Sequence, residues 1–167
     1  MTNHTVLKTE SDRLSALYQL EILDTPPDER FDAITAKAQQ YFNSSICLIS
    51  FVADDRQWFK SRQGLDAVET ERHVSFCAYA IAEEEYLYIP DTHEDFRFRN
   101  NPLVKGAPFI RAYAGAIIYS PDGYALGTLC IIHNDVLVLS DEDITMLMKF
   151  AKMVEAELAA QQQSVEQ

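Results

Sequence analysis

No run of apolar residues in this 167-residue chain approaches the roughly 20 needed to cross a bilayer, and the opening MTNHTVLKTE lacks the apolar core of a secretion signal. Basic clusters are missing as well. Lys and Arg number 14 against 26 Asp and Glu, a net charge of −12 that repels phosphate backbones and anionic lipid. With five glycines in all, the chain has no Gly-rich phosphate loop and no dinucleotide fingerprint. Its three cysteines are odd in number and irregularly spaced, which fits free thiols in a reducing compartment better than a disulfide framework. The one half-formed metal pattern, CIIH, sets Cys130 and His133 three apart in a strand, where side chains alternate and the two point to opposite faces. The expectation is a cytoplasmic protein with no membrane or nucleic-acid partner, no metal site and no cofactor.

What is present is an ordinary globular balance, 47% hydrophobic and 24% charged residues, in a length that suits one domain. SDRLSALYQLEIL carries Leu14, Leu17 and Tyr18 on one helical face, with Ser11 as its expected cap. DTPPDERFDAITAKAQQYF predicts a second helix capped by Thr25, with acids in its first turn and Phe31, Ile34, Ala38 and Tyr41 at helical spacing. The period then changes. SSICLISFVAD is a β-branched and aromatic strand, QWFKS its return, and YLYIPD another strand after a short helix from Ser75. THEDFRFRNNPLVKGAPF has no period and reads as a long loop, of the kind that usually serves function. RAYAGAIIYS and YALGTLCIIHN flank Pro121-Asp122-Gly123 as a β-hairpin.

LSDEDITMLMKFAKMVEAELAA is a closing helix with Ser140 as cap. Ile144, Leu147, Met148, Ala151, Val154 and Leu158 form a face for the sheet. Met146, Phe150 and Met153 form a second stripe at the 4-3 spacing of a helix–helix seam, asking for the first helix or a partner subunit. Boundaries are expected at a flexible N-terminus (1–10), one domain (11–158) and a frayed C-terminal tail (159–167).

The chemistry centres on ETERHVSFCAYAI. If Ser75 caps the short helix, His73 lies before the cap and is not an i,i+4 partner of Cys77. Cys77 then sits in the first turn, where backbone N–H groups lower a thiol pKa. Cys77 is read as a sensor thiol, a packing residue or, with Cys47 or Cys130 resolving, the nucleophile of a thiol enzyme. Trp58, Phe59, Phe76, Phe96, Phe98 and Tyr113 fall near loops or strand ends beside Arg97 and Arg111, the make-up of a small-ligand cavity or of a core.

Read together, LDTPPDERFDAIT (Leu23 to Thr35), DRQWFKSRQGL (Asp55 to Leu65), SFCAYAI (Ser75 to Ile81), PDTHEDFRFRNNPLV (Pro90 to Val104) and AYAGAIIYSPDGYALGTLCII (Ala112 to Ile132) resemble the GAF family. The type resembled is the short bacterial one found ahead of sensor histidine kinase and diguanylate cyclase modules, here standing alone. The resemblance implies an α+β fold: a central antiparallel sheet of five or six strands, the terminal helices on one face, pocket loops and a short helix on the other. It implies a signal-transducing, small-molecule-binding homodimer paired through its terminal helices and acting on a partner in trans. Mapped onto this chain, the pocket would involve Trp58, Ser75, Phe76, Cys77, Asp91, Arg97, Phe98, Arg111 and Tyr113. A GAF-fold enzyme like the free methionine sulfoxide reductases, or an interaction domain without ligand, is the alternative. Ala112 replaces the aromatic and His133 the acid usual in the hairpin motif. The cyclic-nucleotide motif is absent, and Cys77 is followed by Ala78 rather than the histidine of bilin-attaching members.

Overall fold

A computed structural model describes residues 9–166; residues 1–8 of the expected flexible N-terminus lie outside the described residues. Helix α1 spans Glu10–Gln19 and is capped by Thr9, whose hydroxyl accepts the Asp12 N–H at 3.1 Å. Ser11, the expected cap, lies one residue inside the helix because Thr9 already stands three residues before the first free donor. Helix α2 (Glu29–Phe42) starts later than expected: Asp28, not Thr25, caps it, accepting from the Arg30 N–H at 2.9 Å. The cause is the Pro26-Pro27 pair. Thr25 and Pro26 each precede a proline, which drives both out of the helical region. The Thr25 hydroxyl instead donates to Ile22 O and accepts from Lys60 Nζ.

Six strands form, the five placed from sequence and a short extra one at Glu69–Glu71: β1 (Ile46–Val52), β2 (Arg56–Gln63), β3 (Glu69–Glu71), β4 (Tyr86–Ile89), β5 (Ala112–Tyr119) and β6 (Ala125–His133). They pair antiparallel in the spatial order β3-β2-β1-β6-β5-β4. Short helices α3 (Phe76–Ala80) and α4 (Pro102–Lys105) interrupt the connections, α4 lying within the segment expected as a loop. Strands β1 and β6 come so close that a Cβ on Gly127 would stand 1.8 Å from Ser50 O. Glycine is the residue that permits that approach.

The last helix, α5 (Asp141–Glu166), opens with a reciprocal cap. Ser140 Oγ accepts the Asp143 N–H at 3.1 Å and the Asp143 carboxylate accepts the Ser140 N–H at 3.0 Å. Helical backbone continues through residues 159–166, where a frayed tail was expected.

Strand alternation divides the core into two layers. On one face Cys47, Ile49, Phe51, Leu129 and Ile131 meet α1, α2 and α5 through Leu17, Phe31, Leu147 and Val154. On the other, Leu48, Val52, Cys130 and Ile132 meet Phe76, Cys77, Phe98 and Val104 from α3 and the loop. Phe150 does sit at a helix seam, but the partner is α2 of the same chain: its ring lies 6.2 Å from Phe42 and 6.1 Å from Tyr41. Met146 packs on the same cluster, and Met153 stays 39% exposed.

Candidate functional site

Ser75 organises the site. A 3-10 turn at Arg72–Val74 delivers it in extended conformation, and its hydroxyl accepts the Ala78 N–H at 3.1 Å while donating to Gln57 Oε1 at 2.9 Å. The cap leaves His73 outside the helix, exposed, with Nε2 3.3 Å from the Glu71 carboxylate and no role beside Cys77.

Capping turns Cys77 inward onto the sheet, where it is 2% exposed. Its sulfur accepts from Ser50 Oγ at 3.0 Å and lies 3.1 Å from Thr128 Oγ1 and 3.2 Å from Tyr113 Oη, so β1, β6 and β5 all reach it. Ser50 and Thr128 also touch each other at 3.2 Å. Cys130, two residues beyond Thr128 on the same face, packs in the same layer as Cys77. Burial pushes the Cys77 thiol up, and the neighbouring Cys130 together with the hydrogen bonds from Ser50, Thr128 and Tyr113 outweighs it, bringing the thiol down to about 7. Cys130 moves the other way, held well above its ordinary value by the neighbouring Cys77 and by burial. Burial, opposed by a backbone hydrogen bond at Leu48, carries Cys47 to about 12, and Cys47 packs on the opposite sheet face, which removes it as a resolving thiol for Cys77.

The aromatic wall is tightly closed. Phe76 stacks on Phe98 with centroids 4.3 Å apart and leans on Tyr113 at 5.2 Å, and all three are buried. Gly115 makes room for the Tyr113 hydroxyl, since a Cβ there would meet it at 2.3 Å. At the rim, Arg111 grips Asp91 with Nε–Oδ1 2.7 Å and Nη2–Oδ2 3.1 Å, a fork that ties the two ends of the long loop together.

Two expected pocket residues fall elsewhere. Trp58 points to the helix-covered face and joins that core, because β2 alternates and it is the neighbouring Phe59 that faces α3. Arg97 is a surface residue paired with Asp95 at 2.8 Å, lying over the Phe98 ring at 5.2 Å. Phe96 is 79% exposed. Ser50, Thr128 and Gln57 were not anticipated. The signal for Ser50 and Thr128 was a polar residue inside an apolar strand run, SICLISFV and ALGTLCII. Among the described residues no group of His, Cys, Asp and Glu is arranged to hold a metal ion, and no helix is long and apolar enough to cross a membrane.

One antiparallel sheet between a layer of terminal helices and a layer of loops and a short capped helix defines an α+β domain. The chain belongs to the GAF domain family, which matches residues 26–158. It is 42% identical over 150 residues to a cyclic di-GMP phosphodiesterase from Pseudomonas aeruginosa, covering 89% of this chain and 26% of that protein, so it spans about a quarter of that relative. Among solved structures it resembles the GAF domain of a phosphoenolpyruvate-protein phosphotransferase from Coxiella burnetii, with TM-score 0.68, 16% identity and coverage of 94% and 98%. A free methionine-R-sulfoxide reductase from Neisseria meningitidis shares the fold at TM-score 0.67, 18% identity and 92% coverage of each chain.

Proposed function

We propose that this chain is a sensory or regulatory domain that takes up a small molecule on its α3 side and relays the change to its terminal helices. It acts as a homodimer on a signalling protein in trans, with an enzyme of cyclic di-GMP turnover as the favoured partner class. The relative from Pseudomonas aeruginosa, itself named a cyclic di-GMP phosphodiesterase, supports that partner. The observation that carries the reading is the Cys77 cluster. A single residue of α3 is held by three strands whose opposite faces carry α2 and α5. A displacement of α3 therefore reaches the helix layer through the sheet rather than around it. A ligand drives such a shift only by its differential affinity for the two arrangements.

The test is a thermal-shift screen over metabolite classes, cyclic di-GMP included. A ligand at about 100 times its Kd adds roughly 2.7 kcal/mol of stability. Absence of a shift with every class, together with unchanged phosphodiesterase or cyclase activity when the chain is added, sinks the reading. A second reading, an interaction domain without ligand, is favoured by the Phe76–Phe98 stack that occupies the interior under α3. It expects partner binding that no metabolite alters.

A further inference from the structure

The chain is acidic throughout, yet one cleft reverses the balance. It opens between α1, the C-terminal half of α3 and the β5–β6 hairpin, with a volume of about 380 Å³, within the range of small-ligand sites. Arg13, Arg72, Ala78, Ile81, Tyr119 and Tyr124 line it. Glu10 lies between the two arginines: Arg13 Nε and Nη2 each reach its carboxylate at 2.9 Å, and Arg72 Nη1 reaches it at 2.5 Å. No other carboxylate among the described residues lines this cleft; Asp54 and Asp55 line a neighbouring one that Arg72 also borders. Two guanidinium charges against one carboxylate leave a positive charge over.

The two arginines differ in what remains available. Arg13 is 7% exposed, and its Nη1 donates to Ala125 O at 3.2 Å, which anchors it to β6. Among the described residues, Arg72 bonds through Nη1, to Glu10, to Ala53 O at 3.0 Å and to Asp54 O at 3.4 Å. Its Nε and Nη2 bond to none of the described residues. Guanidinium groups favour oxyanions because adjacent N–H donors match two oxygens at once.

We propose that this cleft is a binding site for a small molecule with one oxyanion group, a carboxylate or a phosphate, on an apolar or aromatic body. The oxyanion takes the Nε and Nη2 donors of Arg72 beside the fixed charge of Arg13. The body lies against Ala78, Ile81 and the two tyrosines. An occupant touches α1 and α3 together, so it bridges the first terminal helix and the helix that carries Cys77. That consequence rests on the sensory reading; binding itself does not, and is tested on the chain alone.

The experiment is a titration with benzoate, phenyl phosphate and, as the neutral control, benzyl alcohol, followed by amide chemical shifts. Saturable shifts at Ala78, Ile81 and Tyr124 with at least one of the two anions, and none with benzyl alcohol, support the site, and the tighter anion identifies the oxyanion class. Arg72→Gln is expected to weaken binding about tenfold or more, the loss of charged hydrogen bonds. Ala82→Phe, at an exposed position on the cleft wall, is expected to block it with every charge in place, and serves where Arg72→Gln does not fold. No saturable shift with either anion overturns the proposal, as does equal binding by benzyl alcohol or undiminished binding in a folded variant of either kind. Loss of regulation with binding intact counts against the sensory reading instead.

Discussion

Ser50 Oγ donates a hydrogen bond to Cys77 Sγ at 3.0 Å, joining the middle of β1 to the first turn of α3. The bond decides how Cys77 is to be understood. Its partners are two hydroxyls on β-strand serine and threonine and a tyrosine, and none of them is a general base. A nucleophilic thiol needs a positioned base and a route for substrate; Cys77 has a closed polar cage. It serves as the tie between α3 and three strands.

All three cysteines are buried, so alkylation by iodoacetamide is expected to require opening of the domain. Native protein should react far more slowly than protein in denaturant, and the rate should track stability across denaturant concentrations. Fast modification of Cys77 under native conditions would contradict the closed cage.

Gly115 and Tyr113 are expected to be energetically coupled. Gly115→Ala places a methyl on the Tyr113 hydroxyl and should cost about 1–3 kcal/mol by overpacking. Tyr113→Phe removes that oxygen, so the alanine should cost measurably less in the double variant. Urea denaturation of the four proteins of the cycle reads the coupling directly, and additive costs would refute it.

Phe98 and Phe96 are two residues apart and should behave oppositely. Phe98 is fully buried against Phe76, whereas Phe96 is 79% exposed. Phe98→Ala is expected to lose about 3–5 kcal/mol and Phe96→Ala to stay within about 0.5 kcal/mol of the parent. Comparable losses at both positions would show that the loop is not packed as described.

Acid should loosen the start of α1. The hydrogen bond from Arg13, opposed by partial burial and aided by Arg72, lowers Glu10 from 4.5 to about 2. A carboxyl lowered in the folded state adds stability that is complete above its unfolded value. That stability disappears as pH falls from about 4.5 to about 2. Solvent screens the half-exposed Glu10 carboxylate, so the contribution is about 0.2–1 kcal/mol. The stability difference between the parent and Glu10→Gln, measured by urea midpoints, should shrink over that interval. A difference that stays constant from neutral pH to pH 2 would exclude the linkage.

For the proposed dimer, Met153 and Phe150 separate association from folding. Phe150 is buried against α2 while Met153 is 39% exposed. Met153→Lys is expected to shift sedimentation toward monomer with the thermal midpoint of dilute protein unchanged. Phe150→Ala should destabilise the fold itself, by about 3–5 kcal/mol. Unchanged sedimentation of a dimeric parent on Met153→Lys would move the interface off α5.

Much of the architecture is local and therefore readable along the chain. The hairpin is announced by Pro121-Asp122-Gly123, with Gly123 at φ 86° where the turn requires it. The Ser75 and Ser140 caps depend on spacing of a few residues, and the structure places both hydroxyls on the expected N–H groups. The misplaced caps at Ser11 and Thr25 are local errors too, the second correctable from Pro26-Pro27 alone.

The face on which a side chain falls is another matter. Trp58 and Phe59 are adjacent and equally apolar, and only the pairing of β2 with β1, with its register shift between Ile49 and Ser50, sends Trp58 to the helices and Phe59 to α3. Likewise Cys77, Ser50, Tyr113 and Thr128 are separated by up to 78 residues between Ser50 and Thr128, and no periodicity connects them. The sequence by itself determined the succession of helices, strands and turns, because caps, turns and alternation act over a few residues. The tertiary structure alone decided which polar groups meet around Cys77 and that Phe150 serves α2, because those contacts arise when the sheet order β3-β2-β1-β6-β5-β4 closes distant segments onto one face.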